Sequence, residues 1–328
     1  MSVRVRRFTA RGRDREMQLS DVVRDELTPH ELVWVDVEGE DGDAVAEVAA
    51  RLDLAASVID SLRHAEDRAR LERFPRELRV RLVAAQEAAG ERSNGHGSSV
   101  AIEMVPVDVV AAANLVMTVH DRPVAGFEHF VEHIHGDTRL GTLDAASFMT
   151  ALLDSVLTIY LQLVEGVERR VDALDQQALR SRDTESYLNE VVVLRRRVAL
   201  LRRLLAPLRV TLAPLGRPDL EIPGLGEPWP GLMDRLERVI DTVENARELI
   251  IGSFDVFMAR NAERTNDIMK TLTILNAVLL PAAVVAGVMG MNFGLGFFKN
   301  ENNFWFVIGA MLTLAVLILG FSRWRRWI

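Results

Sequence analysis

The run Thr271-Leu-Thr-Ile-Leu-Asn-Ala-Val-Leu-Leu-Pro281-Ala-Ala-Val-Val-Ala-Gly-Val-Met-Gly290-Met291-Asn292-Phe293 decides the architecture of this chain. No charged side chain occurs from Thr271 to Phe298, and none from Asn302 to Ser322. An α-helix rises ~1.5 Å per residue, so ~20 apolar residues cross ~30 Å of hydrocarbon. Both runs therefore read as transmembrane helices, over residues 270–292 and 303–322, joined by an external loop at 293–302. The flanks set the orientation. Arg260, Arg264 and Lys270 precede the first run, and Arg323, Arg325 and Arg326 crowd the tail at 323–328 beside Trp324 and Trp327. The loop between the runs holds one Lys299 and one Glu301. Basic residues stay inside, which makes this a two-pass protein of the plasma (inner) membrane with both termini cytoplasmic. A buried hairpin in a soluble core is the bland alternative, and basic flanks on two such runs argue against it. Met1 to Phe8 carries arginines but no apolar stretch, so it does not read as a signal peptide.

The 328 residues suggest about two domains, and 49% hydrophobic content is too apolar for a disordered chain. With no cysteine, a disulfide framework, a thiolate nucleophile and a Cys-ligated metal are excluded. The net charge of −8 is unevenly spread: residues from Asn266 onward carry +3, which leaves −11 on residues 1–265. A body this acidic is a poor partner for nucleic acid and a good one for cations.

Residues 1–136 alternate strand and helix patterns. Val3–Phe8, Val33–Val37, Leu78–Ala85, Val100–Val107 and Leu115–His120 read as strands, and Asp43–Leu52 and Ser57–His64 as helices. This is an α/β domain without a G-x-G-x-x-G or G-x-x-x-x-G-K phosphate loop. Residues 137–222 turn helical, with apolar spacing from Leu143 to about Leu179 and again from Glu185 to about Leu212, separated by the polar turn at Arg180. They form an antiparallel hairpin with an acidic tip (Asp172, Asp175, Asp183, Glu185, Glu190) and a basic return helix (Arg195, Arg196, Arg197, Arg202, Arg203). Pro223 to Gly231 breaks the pattern. From Leu232 to the first span Gly252 is the only glycine, so a stalk helix at 228–269 runs directly into the membrane, giving one helix of about 60 residues. A lone helix of that length needs partners, and parallel copies of itself are the natural ones.

Asp234, Asp241, Glu248 and Asp255 recur on this helix every seven residues and form one acidic stripe. It is either a solvated face or a set of carboxylates for hard cations such as Mg²⁺ between subunits, and so a candidate regulatory site. Further along, Asn266, Met269, Thr273, Asn276, Leu280, Ala283 and Gly287 share one face that mixes amides and a hydroxyl with apolar groups. Ile274, Leu279, Val284 and Val285 fall on purely apolar faces. Polar residues inside a membrane face a water path or another helix. Pro281 frees the carbonyl of Ala277 in mid-span.

The Gly290-Met291-Asn292 triplet, closing the first of two C-terminal spans, resembles the signature of the CorA-type magnesium transporter family. The run from Thr265 to Leu275, the position of Pro281 and the basic-aromatic tail resemble that family as well. The resemblance implies an α/β cytoplasmic domain, a helical hairpin, a long stalk helix and two transmembrane helices, assembled as a homopentamer in the lipid bilayer. It implies a divalent cation channel rather than an enzyme, with no catalytic cofactor, carrying Mg²⁺ and with it Co²⁺ or Ni²⁺, and regulated by Mg²⁺. By similarity Gly290, Met291 and Asn292 form the outer selectivity filter. Met269, Leu272 and Leu280 match the hydrophobic gate, Asn266 the inner polar ring, and Asp255 an acidic position near the cytoplasmic mouth. Thr273 and Asn276 complete the polar pore face. Met289 stands where the family usually has an aromatic, and Ala283 where it often has Thr. These departures leave the zinc-transporting branch of the superfamily as the nearest rival.

His129-Phe-Val-Glu132-His133 matches H-x-x-E-H, with His135 or Asp137 in reach as a third ligand. A membrane-tethered metallopeptidase is the reading this motif supports. The plain reading is a solvent-facing helix that connects two halves of the domain. A membrane-bound cation sensor without flux is the third possibility.

Overall fold

The computed structural model describes the whole chain except residues 10–14, 23–26, 29, 40, 65–67, 89–100, 135–143, 181–183, 217–230, 292–300 and 325–328. The described residues divide into two compact units, Met1–Ser253 and Phe254–Ile328.

The first unit opens with an α/β layer. Seven strands form one mixed sheet: β1 (Ser2–Thr9), β2 (Arg15–Met17), β3 (Glu31–Glu38), β4 (Arg70–Arg73), β5 (Glu77–Glu87), β6 (Ile102–Ala112) and β7 (Leu115–His120), in the order β2-β1-β3-β7-β6-β5-β4. Among the described residues only β3 and β7 pair in parallel. β6 runs on to Ala112, past the Val107 expected from alternation, and turns tightly into β7 through Asn114, which holds a left-handed φ of 58°. Pro106 sits within β6 because that position has a neighbour on one side only: β5 pairs with it, and the β7 ladder starts at Val107.

Helices α1 (Gly42–Arg51) and α2 (Ala56–Arg63) cover one face of the sheet. Asp41 caps α1 by accepting the N–H groups of Asp43 and Ala44. Val45, Val48, Leu52, Val58 and Leu62 pack there on Val33, Val35, Val37 and Met117. These five side chains, at ~1.5–3 kcal/mol each, contribute strongly to the stability of this layer.

Helix α3 (Ala125–Ile134) and the start of α4 (Ala145–Arg180) cover the opposite face. Trp34 is the anchor, with Phe127, Phe130 and Phe148 ringed around it at centroid distances of 6.0, 5.9 and 5.8 Å. α3 approaches α4 so closely that a Cβ on Gly126 would lie 2.9 Å from the Val156 Cα. α3 is therefore half-buried and not the solvent-facing connector expected from its sequence.

α4 and α5 (Thr184–Leu212) follow as two long helices. Tyr187, Val191, Leu194, Val198, Leu201 and Leu205 form the buried seam of α5. Helix α6 (Leu232–Met289) presents Leu236, Val239, Val243, Ala246 and Ile250 to the same core. α6 is unbroken, so its residues to Ser253 belong to the first unit and those from Phe254 to the second. The second unit is the rest of α6 with α7 (Glu301–Trp324). Among the described residues three helices are long and apolar enough to cross a membrane, within Ala145–Gln176, Leu232–Met289 and Trp305–Trp324. Half of the first window is buried within its own unit, against 0% and 6% for the other two. α4 thus spends its apolar face on the sheet, and Tyr160 donates to the Val83 carbonyl at 2.6 Å.

Candidate functional site

The second half of α6 is built by two periodicities on one helix. At 3.6 residues per turn, Asn266, Met269, Thr273, Asn276, Leu280, Ala283 and Gly287 fall within an arc of roughly 100°. All seven are exposed. Ile274, Val278, Pro281, Ala282, Val285 and Met289 are partly buried and fall on nearly the opposite side of the helix. Val278, Pro281, Ala282 and Val285 line, with Phe306, Val307, Ala310 and Met311 of α7, an apolar crevice of about 180 Å³. So α7 takes the apolar side, and the mixed polar stripe has no cover among the described residues. Leu279 and Val284, expected on the apolar side, are 55% and 58% exposed.

The hydroxyl of Thr273 donates to the Met269 carbonyl at 2.7 Å, and that of Thr271 to the Asp267 carbonyl at 2.9 Å. Both hydroxyl protons are satisfied within the helix, which leaves lone pairs on the surface. Met269, Leu272 and Leu280 are 54%, 47% and 67% exposed, an arrangement of large apolar groups that a single chain does not bury. α6 ends in a turn where the Gly290 N–H donates to the Ala286 carbonyl at 2.9 Å and the Met291 N–H to the Val288 carbonyl at 3.2 Å. Gly290 and Met291 therefore cap the helix, and Met291 is exposed. Asn292 lies outside the described residues.

The acidic stripe is real as a surface feature. Asp234, Asp241, Glu248 and Asp255 are all exposed, on the side of α6 away from its buried seam. Glu237 and Glu244, nearer α5, are taken up by Arg209 and Arg202, each at 2.7 Å.

In the H-x-x-E-H run, His129 is partly buried on α3, while the side chains of Glu132 and His133, and residues 135 and 137, lie outside what is described. Among the described residues no cluster of three or more His, Asp or Glu side chains could hold a metal ion.

One polar cluster was missed by the sequence. Asp36, in the middle of an apolar strand, accepts from Thr118 Oγ1 at 2.6 Å, bonds His120 Nε2 at 2.9 Å and pairs with Arg4 at 3.1 Å. Burial raises the Asp36 carboxyl, but the hydrogen bonds and charge of His120, with Thr118 and Arg4, outweigh it and hold the group below its ordinary range. A second cluster, Arg79 on Asp108 at 2.7 Å and on Glu72 at 2.8 Å, crosses the other end of the sheet. The signal was present as charges inside apolar strands; pairing over long sequence separations hid their partners.

An α/β unit with long helices, one of which ends in an uncharged run with an exposed polar stripe, and a second apolar helix are the features of a membrane protein. Residues 29–321 match the family described as CorA-like Mg2+ transporter protein, and the chain belongs to it. It is 24% identical over 327 residues to the cobalt/magnesium transport protein CorA of Thermotoga maritima, covering 96% of this chain and 89% of that one. Its fold is that of the CorA magnesium transporter of Methanocaldococcus jannaschii, with a TM-score of 0.72 at 16% identity over 100% of this chain and 99% of that one. The full-length CmaX protein gives a TM-score of 0.70 at 24% identity, over 98% of this chain and 97% of that one.

Proposed function

We propose that this member of the family is a homopentameric channel for Mg²⁺, with two spans per subunit and both termini cytoplasmic. The observation that carries the reading is the opposition of faces on α6: α7 takes one side, and the exposed stripe from Asn266 to Gly287 is left for an axis shared with other copies. Around that axis the amides of Asn266 and Asn276 and the hydroxyl of Thr273 would line a wet path. Met269, Leu272 and Leu280 would form apolar rings that close it by dewetting. Mg²⁺ sheds its water reluctantly, so a filter of Gly290, Met291 and Asn292 works best on the hydrated ion, with backbone carbonyls and the amide oxygen of Asn292 accepting hydrogen bonds from coordinated waters. An inside-negative potential supplies the drive, since two charges across 100 mV gain about 4.6 kcal/mol.

Regulation belongs to the acidic stripe. Five copies of residues 1–265, each at −11, repel one another, and divalent ions between the carboxylates of adjacent copies relieve that repulsion. Mg²⁺ held there at Asp234, Asp241, Glu248 and Asp255 favours the closed ring, provided it binds that state more tightly than the open one.

The test is metal-resolved uptake into proteoliposomes for Mg²⁺, Co²⁺, Ni²⁺ and Zn²⁺, with and without a potential or a pH gradient. Potential-driven Mg²⁺ entry that Asn292→Ala nearly abolishes, with the pentamer intact, supports the reading. Zn²⁺ uptake coupled to a pH gradient replaces it with a zinc transporter, and binding without flux replaces it with a sensor.

A further inference from the structure

The basic face of α5 has no role in the function proposed above. Arg195, Arg202 and Arg203 of α5 and Arg247 of α6 rim a groove of about 400 Å³ whose floor is Val198, Ala206, Ile250 and Ile251. Arg202 is held by Glu244. Among the described residues Arg195 and Arg203 make no ion pair, although the surrounding unit is strongly acidic.

The groove lies on a longer seam. Leu188, Val192, Arg195, Ala199, Arg202 and Ala206 alternate steps of four and three, and all are exposed. This is the spacing of a helix-pairing seam, set one residue out of register from the buried seam that begins at Tyr187. α5 thus has two such faces, of which only one is covered among the described residues of its own chain. A surface of matching period and opposite charge exists on the same molecule. Asp241 and Glu248 of α6 are exposed at a spacing of seven, Leu249 beside them is 49% exposed, and neither carboxylate makes an ion pair among the described residues.

We propose that the α5–α6 groove of one copy receives the Asp241–Glu248 face of α6 from a second copy. The contact joins two different surfaces, so it is not that of a two-fold dimer, and repeated about a rotation that closes it makes a ring. Guanidinium groups suit the task because they bind carboxylates through paired N–H donors and stay charged at any physiological pH. A carboxylate offers about four lone-pair positions, so one oxygen edge can hold a guanidinium while the other faces a cation. The arginine pairs are then the part of the contact that needs no metal: they keep copies joined while cations come and go. The inference rests on the oligomeric reading above and adds its contact surface.

The absence of cysteine makes the test direct. Full-length Ala199→Cys and Glu248→Cys, carrying different tags, are co-expressed in membranes and oxidised, so that a disulfide can only join two chains. Disulfides between unlike chains, formed equally in EDTA, are expected. Adding Arg195→Glu and Arg203→Glu to the first chain should lower their yield about tenfold. Asp241→Arg on the second chain should restore it. Disulfides only between like chains, or a yield unmoved by charge reversal, overturn the proposal. The mass of the wild-type chain in nanodiscs separates the two levels: an oligomer without these disulfides refutes this contact alone, whereas a monomer refutes the assembly itself.

Discussion

The hydroxyl oxygens of Tyr187 and Ser253 lie 2.7 Å apart, joining α5 to α6 at the last residue of the first unit. Ser253 donates its single proton to the Asp175 carboxylate of α4, so Tyr187 is the donor of the pair. Burial pushes the Tyr187 phenol up, which keeps that proton in place. Three helices are pinned together by two hydrogen bonds just before α6 leaves the unit.

Breaking this pin has an asymmetric outcome. Ser253→Ala leaves a buried phenol and a carboxylate without their partner and should cost roughly 1–3 kcal/mol. Tyr187→Phe removes one hydroxyl and leaves the Ser253–Asp175 bond, so roughly 0.5–1.5 kcal/mol is expected. Hydrogen exchange over residues 245–253 in the full chain measures both. Equal protection in the two variants would mean that packing of the aromatic ring alone holds α6.

Asp36 predicts a pH dependence. Its carboxyl titrates below the ordinary 3.8, so the stability it contributes is present at neutral pH and is lost as pH falls through the depressed value. Asp36→Asn should therefore destabilise the first unit by roughly 1–3 kcal/mol at pH 7, and the gap to wild type should shrink as the medium is acidified towards pH 3. Thermal unfolding across that pH range checks it, and a constant gap would assign the loss to shape instead of charge.

The gate is open to a direct prediction. If Leu272 closes a dry ring, Leu272→Asn wets it, and resting leak at high internal Mg²⁺ should rise well above wild type. Flux at the wild-type level in that variant would place the constriction elsewhere on the stripe.

The acidic stripe predicts a shift in cation dependence. With Asp234→Ala and Asp241→Ala together, protection of the first unit from protease should need more Mg²⁺, because two of the stripe's four carboxylates are gone. An unchanged midpoint would make the stripe a solvated face and nothing more.

Much of the fold is legible in the sequence because its signals are local. The uncharged runs of α6 and α7, the heptad-like seam of α5 and the β-branched apolar run of β3 each need only neighbours along the chain. The edge strands β2 and β4 were not legible, being three and four residues of mostly charged sequence that pair only because β1 and β5 stand beside them. The Asp36–His120 and Arg79–Asp108 clusters were equally hidden, since partners separated by 84 and 29 positions leave no periodic trace. For the candidate site, helical spacing separated the polar stripe from the side that α7 covers, but it left the surroundings of Leu279 and Val284 open, since period alone cannot tell lipid-facing from helix-facing apolar residues.

The unbroken course of α6 from Leu232 to Met289 makes it a shaft as well as a wall. If α6 lines a pore as proposed, a turn of the helix about its own axis re-aims its side chains while its backbone stays in place. Side chains stand about 5–6 Å from a helix axis, so a rotation of roughly 20° sweeps their tips by ~2 Å. Torque of that size would carry an apolar group off a narrow axis and bring a flanking amide towards it, with hardly any change in the spacing between neighbouring backbones.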